Sequence, residues 1–414
     1  MIINFNKLKN LSILNLSSGT LIVLVNQLSI LISLPFLTSF LGFEAFGILT
    51  QGLIIYQIGA LCMDFGCGYS SIFFIKSDED KNIPLEDILI PVFTIKFIIF
   101  LIILILTIIS NFYLKLTSFS PALFSMIMFA IFLAGNNPIW IYQVKLENFY
   151  LLVATIIARI IFLTIIFINI RKPDDLIWYF YSLNIGFLIT SFYTIFQYRK
   201  LKLTFRGFKS LFKIVRTSFS YFINSLIIFN SNSIWGLGLL ILGTPAQLVY
   251  FNLADQCYRA LNGLAGSIPA NLYSRFTKSF DVQKSMKLAL LIGILMFFVY
   301  IIFYYLIDKI IPIFFDSIYF KATPLIKIYI LASLFLSLTN LFGYPIYGLV
   351  TSAKKARKLI LFSGILNLLL FLVWIIVLEK TVLIIVLIHL SINILIFLWQ
   401  LLLIIINFNK PKII

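Results

Sequence analysis

Long, nearly unbroken apolar runs constrain this chain more than any other feature. Residues 98–109 and 359–378 carry no charge and almost no polar side chain. A soluble fold of 414 residues that is 61% hydrophobic and 11% charged could not cover so much Ile, Leu and Phe, so the surplus must face lipid. Lipid offers the backbone no hydrogen-bond partners and therefore admits only helices or closed barrels. Barrel strands alternate apolar with polar residues. These runs do not alternate, so the sequence predicts an all-α polytopic membrane protein.

Twelve spans are long enough to cross about 30 Å of hydrocarbon. They fall near 11–40, 46–75, 88–112, 120–141, 150–170, 176–197, 217–243, 246–274, 288–307, 324–350, 359–378 and 381–406. Very short turns separate spans 1 and 2, 7 and 8, and 11 and 12. The first span follows Lys7 and Lys9 as a signal peptide would, but its apolar stretch is about twice too long. It is read as an uncleaved helix.

Positive charge sets the expected orientation. With both termini in the cytoplasm, 22 Lys and Arg lie on inside segments and 6 on outside ones. The net charge of +17 is thus mostly a topology signal, and its dispersion over several loops argues against nucleic-acid binding. The richest loop, 198–216, reads YRKLKLTFRGFKSLFKIVR. It is either an amphipathic segment on the anionic inner leaflet or a plain connector.

Its central position suggests two six-helix halves: 1–197, a basic linker at 198–216, 217–406, and a cytoplasmic tail at 407–414. An offset of 201 residues places Leu41 and Gly42 on Leu242 and Gly243, and Ala45 on Ala246. Parallel repeats of this kind occur in transporters, with the substrate path between the halves.

Charges inside the spans are the candidate functional residues, because each costs about 2.5–3.5 kcal/mol at a helix centre unless it faces water or a partner. Asp64, Lys96, Arg159, Asp255 and Arg259 lie deep, whereas Lys327 is near an outer end. Asp255 and Arg259 share one helix face at i,i+4, and form either a self-neutralising pair or part of a polar path. Lys96 either snorkels or faces a cavity. Arg159 has no acid within a turn. Asp64 and Asp255 are also candidates for proton coupling.

Softer polar stripes run along span 1 (Asn15, Ser18, Asn26, Ser29, Ser33) and span 7 (Thr217, Tyr221, Asn224, Ser231, Trp235), with Asn252 and Asn262 in span 8. They serve either helix packing or a shared lumen. Pro35, Pro138, Pro269 and Gly343-Tyr344-Pro345 are expected to interrupt spans. His389, the single histidine, is a packing hydrogen bonder or a proton relay. Cys62, Cys67 and Cys257 have no metal-site spacing. Asp174-Asp175 and Asp78-Glu79-Asp80 read as solvated turns. No cofactor, metal or catalytic group is expected.

Three stretches resemble polysaccharide (O-antigen) flippases of the multidrug/oligosaccharidyl-lipid/polysaccharide (MOP) superfamily. They are Pro35-Phe-Leu-Thr-Ser-Phe-Leu-Gly-Phe-Glu-Ala-Phe-Gly47, Met63-Asp64-Phe65-Gly66, and the run from Val249 through Tyr250, Asn252, Ala254, Asp255 and Gln256 to Pro269. The resemblance implies a bacterial inner-membrane protein that moves undecaprenyl-pyrophosphate-linked sugar units from the cytoplasmic to the outer leaflet by alternating access. It implies two bundles about a central cavity. Its implied partners are the lipid-linked oligosaccharide, membrane lipids, and polysaccharide polymerase and chain-length proteins. Lys96, Arg159 and Arg259 would then meet the anionic head group. The alternatives are a membrane enzyme of the same pathway, either polymerase or glycosyltransferase, and a drug/cation antiporter of the same superfamily. Spans 1 and 7 lack the acid usual in such antiporters.

Overall fold

The structure is a computed structural model describing residues 5–76, 85–113, 119–145, 147–199, 208–279 and 282–408. Among the described residues there are helices and turns and no strand. The triplet Asp78-Glu79-Asp80 and residues 200–207 of the basic loop lie outside them.

The order is α1 (Phe5–Asp64), α2 (Cys67–Lys76), α3 (Leu85–Ile108), α4 (Pro121–Asn136), α5 (Ile139–Lys145), α6 (Asn148–Asn169) and α7 (Ile177–Gln197). Then come α8 (Phe208–Leu242), α9 (Pro245–Ser279), α10 (Val282–Phe314), α11 (Thr323–Phe342), the single turn α12 (Gly348–Val350), α13 (Ala353–Ile376) and α14 (Val382–Phe408). Nine stretches among the described residues have the length and apolarity to cross a membrane. One of them, Ser18–Asp64, contains a kink and supplies two crossings. The 35-residue helices α8 and α9 are also long enough, at about 1.5 Å per residue, which completes the twelve expected spans. Exposed rows such as Ile98, Leu101, Ile102, Ile105 and Leu106 on α3 would be untenable in water and mark lipid-facing sides.

The breaks differ from those the prolines suggested. Helix α1 runs straight through Pro35, where Thr38 and Ser39 hydroxyls donate to the Leu34 and Pro35 carbonyls. The kink lies seven residues later at Gly42, with φ 69° and ψ 179°, a region open only to glycine. Pro269 likewise sits inside continuous α9. Pro138 does break its span, because it forces Asn137 into an extended conformation between α4 and α5. Gly343–Tyr347 forms a π turn between α11 and α12. The 201-residue offset recurs in the structure: the α1 kink at Gly42 corresponds to the end of α8 just before Gly243.

The chain divides into two compact units, Met1–Ser29 with Phe40–Leu226, and Ile30–Ser39 with Ile227–Ile414. In the first, α7 packs against α4 and α6. Residues 208–216, read as connector, are the opening turns of α8, and Ile214 is buried with Cys67, Trp140 and α3 side chains. In the second unit, α11 packs against α9, α10 and α14. Its buried Ala332, Ser333 and Ser337 let neighbours approach closely and bond across, as in Tyr300 Oη to Ser337 Oγ at 2.7 Å. His389 is buried there, with Tyr329 Oη 2.8 Å from its Nδ1 and the rings of Trp235 and Tyr258 alongside.

Between α1 and α2, Phe65 and Gly66 both have positive φ, at 47° and 69°. A Cβ on Gly66 would come within 2.5 Å of the Ser218 carbonyl oxygen, whereas one on Gly42 would meet nothing within 4 Å. Gly42→Ala is expected to cost about 1–3 kcal/mol of backbone strain alone. Gly66→Ala adds a collision with the α8 backbone and should lower the detergent-solubilised melting temperature clearly further. Equal melting temperatures for the two variants would contradict this packing.

Candidate functional site

Each break in a membrane helix frees carbonyls that lipid cannot satisfy. At the end of α4, the Gly135 carbonyl accepts a 2.6 Å hydrogen bond from Lys96 Nζ. A cation there also complements the negative end of the helix dipole. The same Nζ lies 3.5 Å from Asp64 Oδ1, which the turn at Phe65–Gly66 leaves at the end of α1. The Lys96 side chain is only 2% exposed, so it does not snorkel, while Asp64 is 42% exposed. Lys96 therefore ties the middle of α3 to two helix ends, and its charge is already engaged on both sides.

Asp255 and Arg259 form the local pair allowed by their spacing, with Arg259 Nε donating to Asp255 Oδ2 at 2.6 Å. Asp255 is buried and Arg259 is partly exposed. Lys327 finds Asp308 at 2.5 Å near the start of α11. Asp175 caps its own turn by accepting from the Arg171 and Lys172 backbone, as a solvated turn would.

Arg159 differs from all of these. It projects from α6 into a cavity of about 120 Å³ inside the first unit. Its Nε donates to Asn26 Oδ1 on α1 at 2.7 Å, and its guanidinium lies 5.3 Å from the centre of the Phe162 ring. Among the described residues no carboxylate lies within ion-pair distance, and Nη1 and Nη2 find no acceptor. The Pro138 break brings Asn137 to the same cavity. Its Nδ2 donates to Thr190 Oγ1 at 2.8 Å, and its buried Oδ1 has no partner. Thr155 and Ser182 also line the space, but donate their hydroxyls to their own helices. The cavity thus has a cation with two free donor groups, held from one side, and room for several waters or a phosphate group's oxygens.

The other expected lining residues divide. Asn26 lines the cavity. Ser29 is buried and donates to the Asn26 carbonyl of its own helix, and Asn252 is buried and accepts from Gln256 Nε2 at 3.3 Å. Both of these bonds stay within one helix. Trp235 is buried, with Nε1 donating to Asn367 Oδ1 at 2.9 Å. The side chains of Asn15, Asn224 and Ser231 lie outside those described. Asn137 was missed from the sequence, although an Asn-Pro step within an apolar span signals a helix break that exposes polar groups.

The family model described as polysaccharide biosynthesis protein matches residues 13–280. The chain belongs to this family. A Shigella dysenteriae protein named "Putative O-antigen transporter" is 26% identical over 290 residues, covering 68% of this chain and 70% of its own. Among solved structures, an inward-facing multidrug resistance MATE family transporter of the MOP superfamily has a TM-score of 0.68 at 13% identity, covering 97% of this chain and all of its own. An outward-facing MATE transporter of the same superfamily has a TM-score of 0.57 at 14% identity, covering 97% of each chain. The fold of this polysaccharide biosynthesis family member is therefore that of MOP transporters.

Two outcomes test the ion pairs. Asp64→Ala would leave the buried Lys96 ammonium with one carbonyl partner, whereas Lys96→Met leaves only an exposed carboxylate and a free carbonyl. Asp64→Ala should be the more damaging, by about 2 kcal/mol after allowance for the exposure of Asp64, read as folded protein surviving a heating series. For the second pair, Asp255→Ala alone strands Arg259, so the double change Asp255→Ala with Arg259→Ala should recover the stability lost in the single variant. No recovery in the double variant would make Arg259 more than a structural partner.

Proposed function

We propose that the protein is a flippase carrying undecaprenyl-pyrophosphate-linked oligosaccharide units from the cytoplasmic to the outer leaflet of a bacterial inner membrane, by alternating access. Family membership supports a role in surface polysaccharide synthesis, and the MOP fold supports transport as its form. The observation that carries the head-group reading is Arg159, a deep cation with no acidic partner among the described residues, lining a largely apolar cavity with two donor groups unengaged. A pyrophosphate leaving water must exchange its hydration for fixed positive groups, or desolvation would stop it. Arginine keeps its charge when buried and can grip phosphate with two parallel bonds. Asn26 fixes the guanidinium through Nε, which turns the Nη edge toward a ligand.

In this reading both termini are cytoplasmic, in accordance with the distribution of basic residues. The two halves, 1–197 and 217–406, exchange access. Arg259 and Lys96 meet the head group only when their pairs with Asp255 and Asp64 open, and Asp64 and Asp255 are the carboxylates available for proton coupling. Polysaccharide polymerase and chain-length proteins would take the product onward.

Vesicles reconstituted with the protein and an undecaprenyl-pyrophosphate-linked sugar provide the test, read as head groups becoming accessible to a glycosidase on the far side. Arg159→Ala should slow translocation about tenfold or more at equal protein content, and Arg159→Lys should keep part of the rate. Wild-type rates for Arg159→Ala, or loss of both variants from the membrane, would remove Arg159 from the path. If Asp64→Asn and Asp255→Asn both keep the wild-type rate and pH dependence, protons are not coupled through either carboxylate.

A further inference from the structure

The second unit contains a larger cavity, about 330 Å³, that the transport path described above does not use. It lies beside the π turn Gly343–Tyr347, among α11, α13 and α14. Three amides from helices that otherwise read as pure lipid-crossing sequence converge there: Asn367 on α13, and Asn393 and Gln400 on α14. Asn340 and Ser363 add two more polar groups. His389, Asn393 and Gln400 recur at spacings of four and seven, which places them on one face of α14.

Gln400 is the decisive residue. It is 0% exposed, and neither its Nε2 nor its Oε1 has a hydrogen-bond partner. Leaving a buried amide unmade costs about 1–3 kcal/mol per group, so an unfilled site here is expensive. Its Nε2 is held against the unwound turn, 3.6 Å from where a Cβ on Gly343 would stand. Its neighbours are partly engaged. Asn367 Oδ1 accepts from Trp235 Nε1, and Asn393 Nδ2 donates to Tyr258 Oη at 3.2 Å and to the Ala332 carbonyl at 3.0 Å. That leaves Asn367 its Nδ2 and Asn393 its Oδ1 for a ligand.

The chemistry of the lining selects the ligand. No Asp, Glu, Lys or Arg is among the described lining residues, and the one lining histidine, His389, is engaged at Nδ1 by Tyr329, so the site offers no fixed charge for an anion and no carboxylate for a cation. Amides and hydroxyls that both donate and accept match groups that do the same, namely sugar hydroxyls. Leu336, Leu359, Ile392 and Ile396 supply apolar walls for the C–H faces of a ring. The volume sits at the lower end of small-molecule sites, which suits one ring rather than a chain. We infer that this cavity is a binding site for a single neutral sugar ring, with Gln400 as its central hydrogen-bonding group. Identifying the ring as part of the transported unit rests on the function proposed above.

The test uses the full chain in lipid nanodiscs, with glucose, galactose, mannose, rhamnose and N-acetylglucosamine as probes, and inorganic pyrophosphate and choline as the charged controls. Ligand-dependent shifts in melting temperature are measured across a concentration series. At least one sugar should give a saturable shift, choline none. Gln400→Leu should weaken that sugar about tenfold or more, as expected for lost hydrogen bonds to a buried polar ligand. Ser363→Ala, at a less buried position, should weaken it severalfold and decides the matter if Gln400→Leu fails to fold. Pyrophosphate should bind independently of Gln400 and depend on Arg159. No saturable sugar binding, or wild-type sugar affinity in whichever variants fold, overturns the inference. If pyrophosphate binding ignores Arg159 while the sugar still needs Gln400, the head-group reading fails and this site stands.

Discussion

The need to satisfy every backbone polar group inside lipid governs the rest of this structure. A continuous helix meets that need by itself. An interrupted one does not, and where α4 ends the protein supplies a partner from within. The end of α4 gives its Gly135 carbonyl to Lys96, which in turn holds Asp64 at the end of α1. The α1–α2 turn is packed on α8, where Phe65 stacks on Phe222 with ring centres 5.0 Å apart and Ser70 meets Ser218 at 2.6 Å. Polar chemistry gathers at these places because the breaks create the demand for it.

That logic separates the deep charges by role. Lys96, Asp255 and Arg259 are engaged by neighbours that lie near them in the fold, and their geometry is that of pairs. Arg159 is held by a neutral amide, which orients its guanidinium without neutralising it. A membrane protein bears the insertion cost of such a charge without an ion-pair return, and in the function proposed above a transported anion supplies that return. The uncharged cavity of the second unit has the complementary character, rich in amides and suited to hydroxyls. One cavity is lined by a cation and the other by uncharged amides.

Much of the fold was legible in the chain, and the site only in part. Apolar runs located the spans, and the Gly42 and Gly243 correspondence at an offset of 201 residues marked two helix breaks. Proline was a poorer guide. Pro35 and Pro269 lie within continuous helices, whereas Pro138 follows an asparagine driven to extended geometry and does end a helix. Phe65 and Gly66 form a break with no proline at all. Arg159 stood out because a charge in an apolar helix is visible locally. Gln400, Asn393 and Asn367 were passed over, because single amides in apolar helices are usually packing contacts. The common face of His389, Asn393 and Gln400 on α14 was the available signal.

Hydropathy is a property of short segments, so the sequence by itself determined that this is a membrane protein of about twelve helices and which of its charges are costly. It also determined the i,i+4 pairing of Asp255 with Arg259, since both lie on one helix. The side-chain hydrogen bonds around the cavities and helix ends join residues far apart in the chain. Asn26 and Arg159 are separated by 133 positions, Lys96 and Gly135 by 39, and Trp235 and Asn367 by 132. In lipid any apolar helix face can pack on many others at similar cost, so segment composition does not select these partners. Only the tertiary structure decided which cation was paired, which was left free, and where the unsatisfied amides met.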